Sequence, residues 1–362
     1  MSVTQFSPKE WNSLSGTAVV WRFLCLPTGV AGLWCLAEQW PGGDWSAGGW
    51  AAGSWGWWLF WTLVTGYSLF CWTSCFHETA HQTLCRSRGL SIWLGRVLGV
   101  AMFVSYNVYR ESHIRHHAYL NKPADWELWP YSDPAASVGF RRMFAWIDLL
   151  LGLVASPFIY SRIYWSSDSP LTSPRLRATI RNEYLAVVIV WGTILGLVGW
   201  FHAWDGFLRV WLLPHWIAGV FQSGRKFTEH LGMNSYDPLL GTRTVLGNNW
   251  WTRLCTFMNF EIFVHGPHHR HPRAAPAELT TCMQAYLQAN ADRPYPVFDS
   301  YWRATCDMLP SLIRNPGVGM NAGASQPAEE KILHIENFVA DVTTEILAET
   351  DADSSYSVRL AG

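Results

Sequence analysis

Apolar residues fall along the chain in long unbroken blocks instead of alternating, and the blocks are long enough to be helices that cross lipid. A hydrocarbon core of about 30 Å takes about 20 helical residues, and four stretches meet that demand: Thr17 to Ala37, Trp50 to Cys75, Tyr184 to Phe201 and Phe207 to Phe221. The second carries no formal charge from Ala51 to Phe76, and the third is equally clean from Tyr184 through Trp204 apart from His202. Arg22 and Pro27 interrupt the first and Arg209 and His215 the fourth, and each of these pairs in a hairpin with a clean neighbour. Two further apolar stretches, Leu90 to Tyr109 with Arg96 and Met143 to Tyr164 with Asp148, are open between spanning, re-entrant and interfacial helices. The pattern predicts an all-α integral membrane protein with about four transmembrane helices in two hairpins, interfacial helices and a cytosolic helical cap.

Charge placement sets the expected orientation. The connections Glu38 to Gly49 and His202 to Gly206 contain no Lys or Arg, whereas Arg86, Arg88, Arg110, Arg115, Arg141, Arg142, Arg175, Arg177, Arg181, Arg225 and Lys226 collect at the other ends of the blocks. The positive-inside rule makes that basic side cytosolic, together with both termini. The polar N-terminal segment before Thr17 lacks the basic start and cleavage site of a signal peptide, so the first helix reads as retained. From about Asn315 the composition turns acidic, and Ile332, Ile335, Val339, Val342 and Ile346 recur at helical spacing. The chain divides accordingly into a membrane domain, 1–314, and an acidic tail, 315–362, with one amphipathic helix. The tail is open between a docking or regulatory appendage and a solvated face.

Composition sharpens this. Only 15% of residues are charged, against roughly 25% in soluble chains, while 24 are Trp, a residue that favours membrane boundaries. Disorder is excluded for most of the chain, and a net charge of −1 excludes a nucleic-acid binder with a concentrated basic surface. Eight Cys without a C-x-x-C pair read as packing residues. Trp55, Trp57, Trp58 and Trp61 read as belt or packing residues, with an apolar tunnel wall as the alternative, and Gly53, Gly56 and Gly66 as points of close helix approach.

Histidine carries the chemistry. Eight of the thirteen fall in three groups, His77-x-x-x-His81, His113-x-x-His116-His117 and His265-x-x-His268-His269. Helix positions i, i+3 and i+4 share a face, so each group is expected to aim its imidazoles at a common point as half of a metal site. All three groups lie on the cytosolic side if residues 81 to 113 and 117 to 265 each cross the membrane an even number of times. Imidazole suits zinc, copper, iron and nickel. Eight or more nitrogens imply two ions, and a redox role at a membrane favours two irons that take dioxygen as co-substrate, with copper as the alternative. A ligating imidazole gives its other nitrogen to a carboxylate or carbonyl, and Glu78, Asp125, Glu127, Glu229 and Glu261 are near enough in sequence to serve. The alternative for each is a solvated surface carboxylate.

These motifs resemble the membrane fatty-acid desaturase and hydroxylase superfamily, whose three histidine boxes surround a di-iron centre. The resemblance covers roughly Trp50 to Pro272 and includes the sequence after the second box, through Asn121, Asp125 and Glu127 to Leu128. Glu229-His230-Leu231-Gly232 resembles the E-H-x-G box of the alkane hydroxylase branch, which implies His230 as a ninth ligand. Asn259-Phe260 resembles the lead-in to the last box, which implies that Asn259 orients a ligand or a metal-bound water.

The implied activity is oxidation of an unactivated C–H bond in a fatty acyl or alkyl chain. Desaturation is the expectation, and hydroxylation and oxidative decarboxylation to a terminal alkene are the alternatives, toward the first of which the E-H-L-G box pulls. A non-catalytic membrane metal-binding or transport protein is disfavoured, because the grouped histidines lie outside the apolar blocks. The sequence holds no haem-binding H-P-G-G, no thiolate quartet and no G-x-G-x-x-G loop. Electrons are therefore expected from a separate ferredoxin, rubredoxin or cytochrome b5 type donor with its reductase.

Overall fold

The computed structural model describes residues 25–38, 52–85, 87–272 and 274–327. The expectations for the first eight residues of the Thr17–Ala37 stretch, for most of the first hairpin connection, for Arg86 and for the tail helix lie outside the described residues.

The described chain is almost entirely helical. α1 (Cys25–Glu38) packs against α2 (Ala52–Ala80), which ends in the first histidine group. α3 (Arg88–Ala101) and α4 (Tyr106–Ala118) follow, then α5 (Val138–Leu150), α6 (Gly152–Trp165) and α7 (Pro174–Trp200). A short turn at Trp204–Gly206 and a π-helical stretch at Phe207–Leu212 lead into α8 (Leu213–His230). α9 (Trp250–Met258), α10 (His265–Arg270), α11 (Pro276–Ala289) and α12 (Tyr301–Arg314) complete the helices, with a two-residue parallel bridge between β1 (Thr244–Val245) and β2 (Val297–Phe298).

Two described helices are long and apolar enough to cross a membrane, Gly56–Ala80 within α2 and Pro174–Trp200. Only 11% of the apolar window of Pro174–Trp200 is buried within the protein, and Val188, Trp200 and Phe201 face outward. A helix apolar all round and uncovered by protein needs lipid around it.

The other two expected spans fall short of that test. α1 is short within the described residues, and α8 carries His215, Gln222, Arg225, Lys226 and Glu229 on faces turned into the protein, which dilutes its hydropathy. The stretch Leu90 to Tyr109 is not one helix. It breaks after Ala101, where Phe103 takes φ 61°, and α3 and α4 meet at 105°. Ser105 restarts the chain by capping α4 at Val108 N. Taken as one bent span, this pair is the third candidate. Met143 to Tyr164 divides in the same way into α5 and α6 at Leu151.

Close helix crossings frame the site. A Cβ on Gly152 would lie 2.6 Å from Gly219 O, and one on Gly219 would lie 2.7 Å from Leu153 N, so α6 and α8 touch backbone to backbone only because both positions are glycine. Gly66 likewise abuts Ile217, whereas Gly56 faces open space, and the surroundings of Gly53 lie outside the described residues. Residues 315–327, expected to begin the tail, pack on the body. Val318 is buried with Tyr131 and Leu312, Val318 N donates to Tyr131 O, and Gly319 N donates to Met233 O.

Candidate metal centre

Nine histidines converge from four places in the chain. His77 occupies the last turn of α2, with His81 just beyond it. α4 supplies His113, His116 and His117, α8 ends on His230, and α10 supplies His265, His268 and His269. Ligand atoms of His77, His81, His113, His117 and His268 lie within 4.8 Å of one another, and so do those of His116, His230 and His269. His265 joins the second cluster, its Nε2 lying 2.8 Å from His230 Nε2 and 3.1 Å from His269 Nε2.

The boxes are therefore interleaved, not aimed at one point each. On α4 the i, i+4 pair His113 and His117 faces the first cluster and His116 the second. On α10 the i, i+4 pair His265 and His269 faces the second cluster and His268 the first. The clusters abut where the rings of His117 and His269 stack at 4.1 Å.

The outward nitrogens fix which nitrogens point inward. His77 Nδ1 lies 3.1 Å from Glu78 Oε1, His113 Nδ1 3.0 Å from Glu127 Oε2, and His116 Nδ1 2.8 Å from Asp125 Oδ2. His265 Nδ1 lies 3.1 Å from the Ile262 carbonyl and must donate to it, which leaves Nε2 as a bare lone pair facing the cluster. Burial, and then the neighbouring imidazoles, hold His268 and His269 well below the usual histidine range. The neutral form that results is the one that ligates metals.

This donor set fits a metal. Inward Nε2 atoms lie 3.1 Å apart in the pairs His81/His113 and His113/His117, and nitrogens at about 2.1 Å from one shared ion would sit roughly 3 Å apart. His77 Nε2 and His268 Nε2 are buried without a partner, a costly arrangement that a cation relieves.

Of the five expected carboxylates, Glu78, Asp125 and Glu127 lie within hydrogen-bond distance of an imidazole Nδ1. Burial raises Glu127, but the His113 and His116 charges and hydrogen bonds from His113 and Tyr160 outweigh it and hold the carboxyl at about 2. Asp125 is fully buried, and burial pushes it up against the pull of His116.

Asn259 and Glu229 are placed differently from these three. Asn259 touches none of the nine imidazoles through the hydrogen bonds it makes. Its Oδ1 accepts from Ser74 Oγ, which in turn accepts from Arg225, and its amide donates to Cys255 O and Tyr67. It braces the turn in which Phe260 and Glu261 take φ 57° and 58° and which presents Ile262 O to His265. Glu229 takes no outward nitrogen either. Its Oε2 lies 3.7 Å from the inward-facing His265 Nε2. Burial raises it to about 8, against the pull of Arg225.

Sequence reasoning passed over Tyr160, whose hydroxyl donates to Glu127, and Tyr109, whose ring stacks on His113 at 5.3 Å. Tyr160 stands in an apolar stretch with no motif around it, whereas Tyr109 lies one helical turn before His113, a spacing that could have flagged it.

Beside the clusters is a polar pocket bordered by His77, His113, His116, His230 and His265. Tyr109, Ser156, Tyr160 and Gln222 line both this pocket and an adjoining apolar cavity walled by Leu69, Trp72, Phe76, Leu153 and Ala218. His215, to which the sequence assigned no role, is in that wall, whereas Trp57, Trp58 and Trp61 are not. Apolar space thus lies next to the polar pocket that the imidazole clusters border.

The family model for fatty acid desaturase matches residues 54–302. The chain belongs to the fatty acid desaturase family. It is 23% identical over 259 residues to the sn-1 acyl-lipid omega-3 desaturase (ferredoxin) of Synechocystis sp., covering 65% of this chain and 70% of that protein. It is also 23% identical over 247 residues to the sn-1 oleoyl-lipid 12-desaturase of Arthrospira platensis, covering 62% and 67%, and 21% identical to a chloroplastic omega-6 fatty acid desaturase of Brassica napus, covering 63% and 52%. This desaturase is thus an integral membrane oxidoreductase that desaturates lipid chains, and its histidine clusters suit the iron such enzymes use with dioxygen.

The glycine of its E-H-L-G box has a packing explanation. Gly232 takes φ +85°, a Cβ there would lie 2.1 Å from Ser311 Oγ, and its N–H donates to Gly317 O. That box joins α8 to α12, and its glycine argues for no particular reaction.

Proposed function

We propose that this desaturase holds two iron ions, one on His77, His81, His113, His117 and His268 and the other on His116, His230, His265 and His269, and introduces a double bond into an acyl chain of a membrane lipid. The observation that carries this is that the apolar cavity and the pocket bordered by both histidine clusters share Tyr109, Ser156, Tyr160 and Gln222 in their walls. Iron with dioxygen supplies the oxidising power. Removing two hydrogens while dioxygen becomes two waters takes two electrons and two protons from outside.

The chain's own residues position and exclude. The wall of Leu69, Phe76, Leu153 and Ala218 keeps water from the alkyl chain, and Tyr160 with Glu127 fixes the ring of His113 at the neck. Placing one methylene pair beside the centre is most of the catalytic task. Electrons come from a separate donor of the ferredoxin type, as the name of the Synechocystis relative suggests, and the boxes and both termini face the cytosol.

The test is expression in a host lacking the activity, feeding of lipids with defined acyl chains, and product analysis by mass spectrometry. An alkene that depends on dioxygen and on His113 is the expected product. Exclusive formation of an alcohol would make the protein a hydroxylase, and metal binding without dioxygen consumption would remove the enzymatic reading.

A further inference from the structure

The two clusters are unequal in imidazoles, five against four, and the fourfold cluster has a carboxylate where the other has its fifth ring. Glu229 precedes His230 at the end of α8, is buried, and groups with His230 and His265, their ligand atoms lying within 4.8 Å of one another. Its Oε1 is buried with no hydrogen-bond partner. Its Oε2 has two charged or polar neighbours, Arg225 Nε and His265 Nε2, each at 3.7 Å and so beyond hydrogen-bond length. An anion stripped of water and left unbonded is costly unless a cation meets it. Arg225 meets it only in part, since it directs its Nη1 to Ser74.

We infer that Glu229 is a carboxylate ligand of the second iron and the fifth member of its donor set beside His116, His230, His265 and His269. The inference rests on the di-iron reading above. One ion then sits among five neutral rings and the other among four rings and an anion, which makes the pair electronically distinct. The carboxylate, the harder donor, favours the more oxidised state of the ion it binds. Arg225 orients that carboxylate, and Ser74 and Asn259 in turn hold Arg225.

The test is metal analysis and Mössbauer spectroscopy of the purified, iron-loaded full chain and of Glu229→Gln, Glu229→Asp and Arg225→Gln, each first passed through size exclusion and a thermal melt. Two irons per wild-type chain in two distinguishable environments are expected. Glu229→Gln should lower occupancy of one environment about tenfold or shift its parameters alone, and Glu229→Asp should restore part of the signal. Arg225→Gln should keep both irons. Fewer than two irons in wild type would overturn the di-iron reading itself. Two irons in wild type with an unchanged spectrum in Glu229→Gln would overturn only the ligand role and leave Glu229 as the ionic partner of Arg225.

Discussion

The two histidine clusters are built from the same boxes but sit in different surroundings. His116, His230, His265 and His269 are all buried, whereas in the other cluster His81 and His117 are half-buried. The pocket beside the centre is bordered by members of both clusters, but by neither His81 nor His117. One side of the centre thus meets the substrate space while the opposite edge approaches solvent. Oxidation of an alkyl chain needs a dry face and electron delivery needs an accessible one, and the interleaved boxes provide both within a single helical frame.

The sharpest way to break this comparison is to remove one ring from each edge. His81→Ala and His265→Ala should each cut product formation at least about 100-fold, more than the loss of a supporting group, with iron content falling. Product analysis and metal content check this, and a variant with undiminished turnover and two irons would remove that residue from the cage.

Next in size are the supporting carboxylates. Asp125→Asn should weaken iron retention by about 10–100-fold, because Asp125 is fully buried and also accepts from the Asn121 and Leu128 amides. Glu78→Gln, on the other cluster, should cost less, since Thr83 remains to hold the side chain. Competition with a chelator orders the two, and the reverse order would contradict the burial argument.

Smaller again is the cavity wall. Leu153→Trp should lower turnover about tenfold on long acyl chains and less on short ones, by displacing the chain from its reactive position, with iron content unchanged. Loss of iron in this variant would mean that the cavity and the cage are not separable.

The smallest effect concerns the acidic tail. Truncation after Gln326 should leave iron intact and raise the association rate of an acidic donor by about twofold, an effect confined to roughly a Debye length of 8 Å and lost in high salt. Truncation after Arg314 should instead destabilise the fold, because it removes Val318 and Gly319 from their bonds to Tyr131 and Met233. Donor-limited kinetics across a salt series, with thermal melts, separates the two.

Eight of the nine converging histidines were legible because box spacing at i, i+3 and i+4 survives any tertiary arrangement, and His230 only through the resemblance of its E-H-L-G box. Their division between two clusters was not, since it depends on how far α4 and α10 are rotated about their axes, which packing decides. α2 and α7 were legible as apolar blocks because lipid tolerates no long polar run. α8 runs past the apolar stretch Phe207 to Phe221 into Gln222, Arg225, Lys226 and Glu229, which serve the protein interior, and the break at Phe103 was hidden because the residues flanking it are as apolar as the helix itself. Glu78 and Glu127 could be nominated from their distance along the chain, but Tyr160 reaches Glu127 across 33 positions, and no local signal marks such a pairing.

The interleaving of α4 and α10 has a consequence for how the protein acquires its metal. Each helix presents rings to both clusters, so with two ions bound as proposed the first to arrive would pin the two helices in the register that the second requires. Loading should therefore be steeply sigmoidal in iron, with half-filled molecules scarce at every concentration. Iron scarcity would then divide the population into complete enzymes and empty ones, and the cell would feel a falling number of working molecules, not a uniform slowing of all of them.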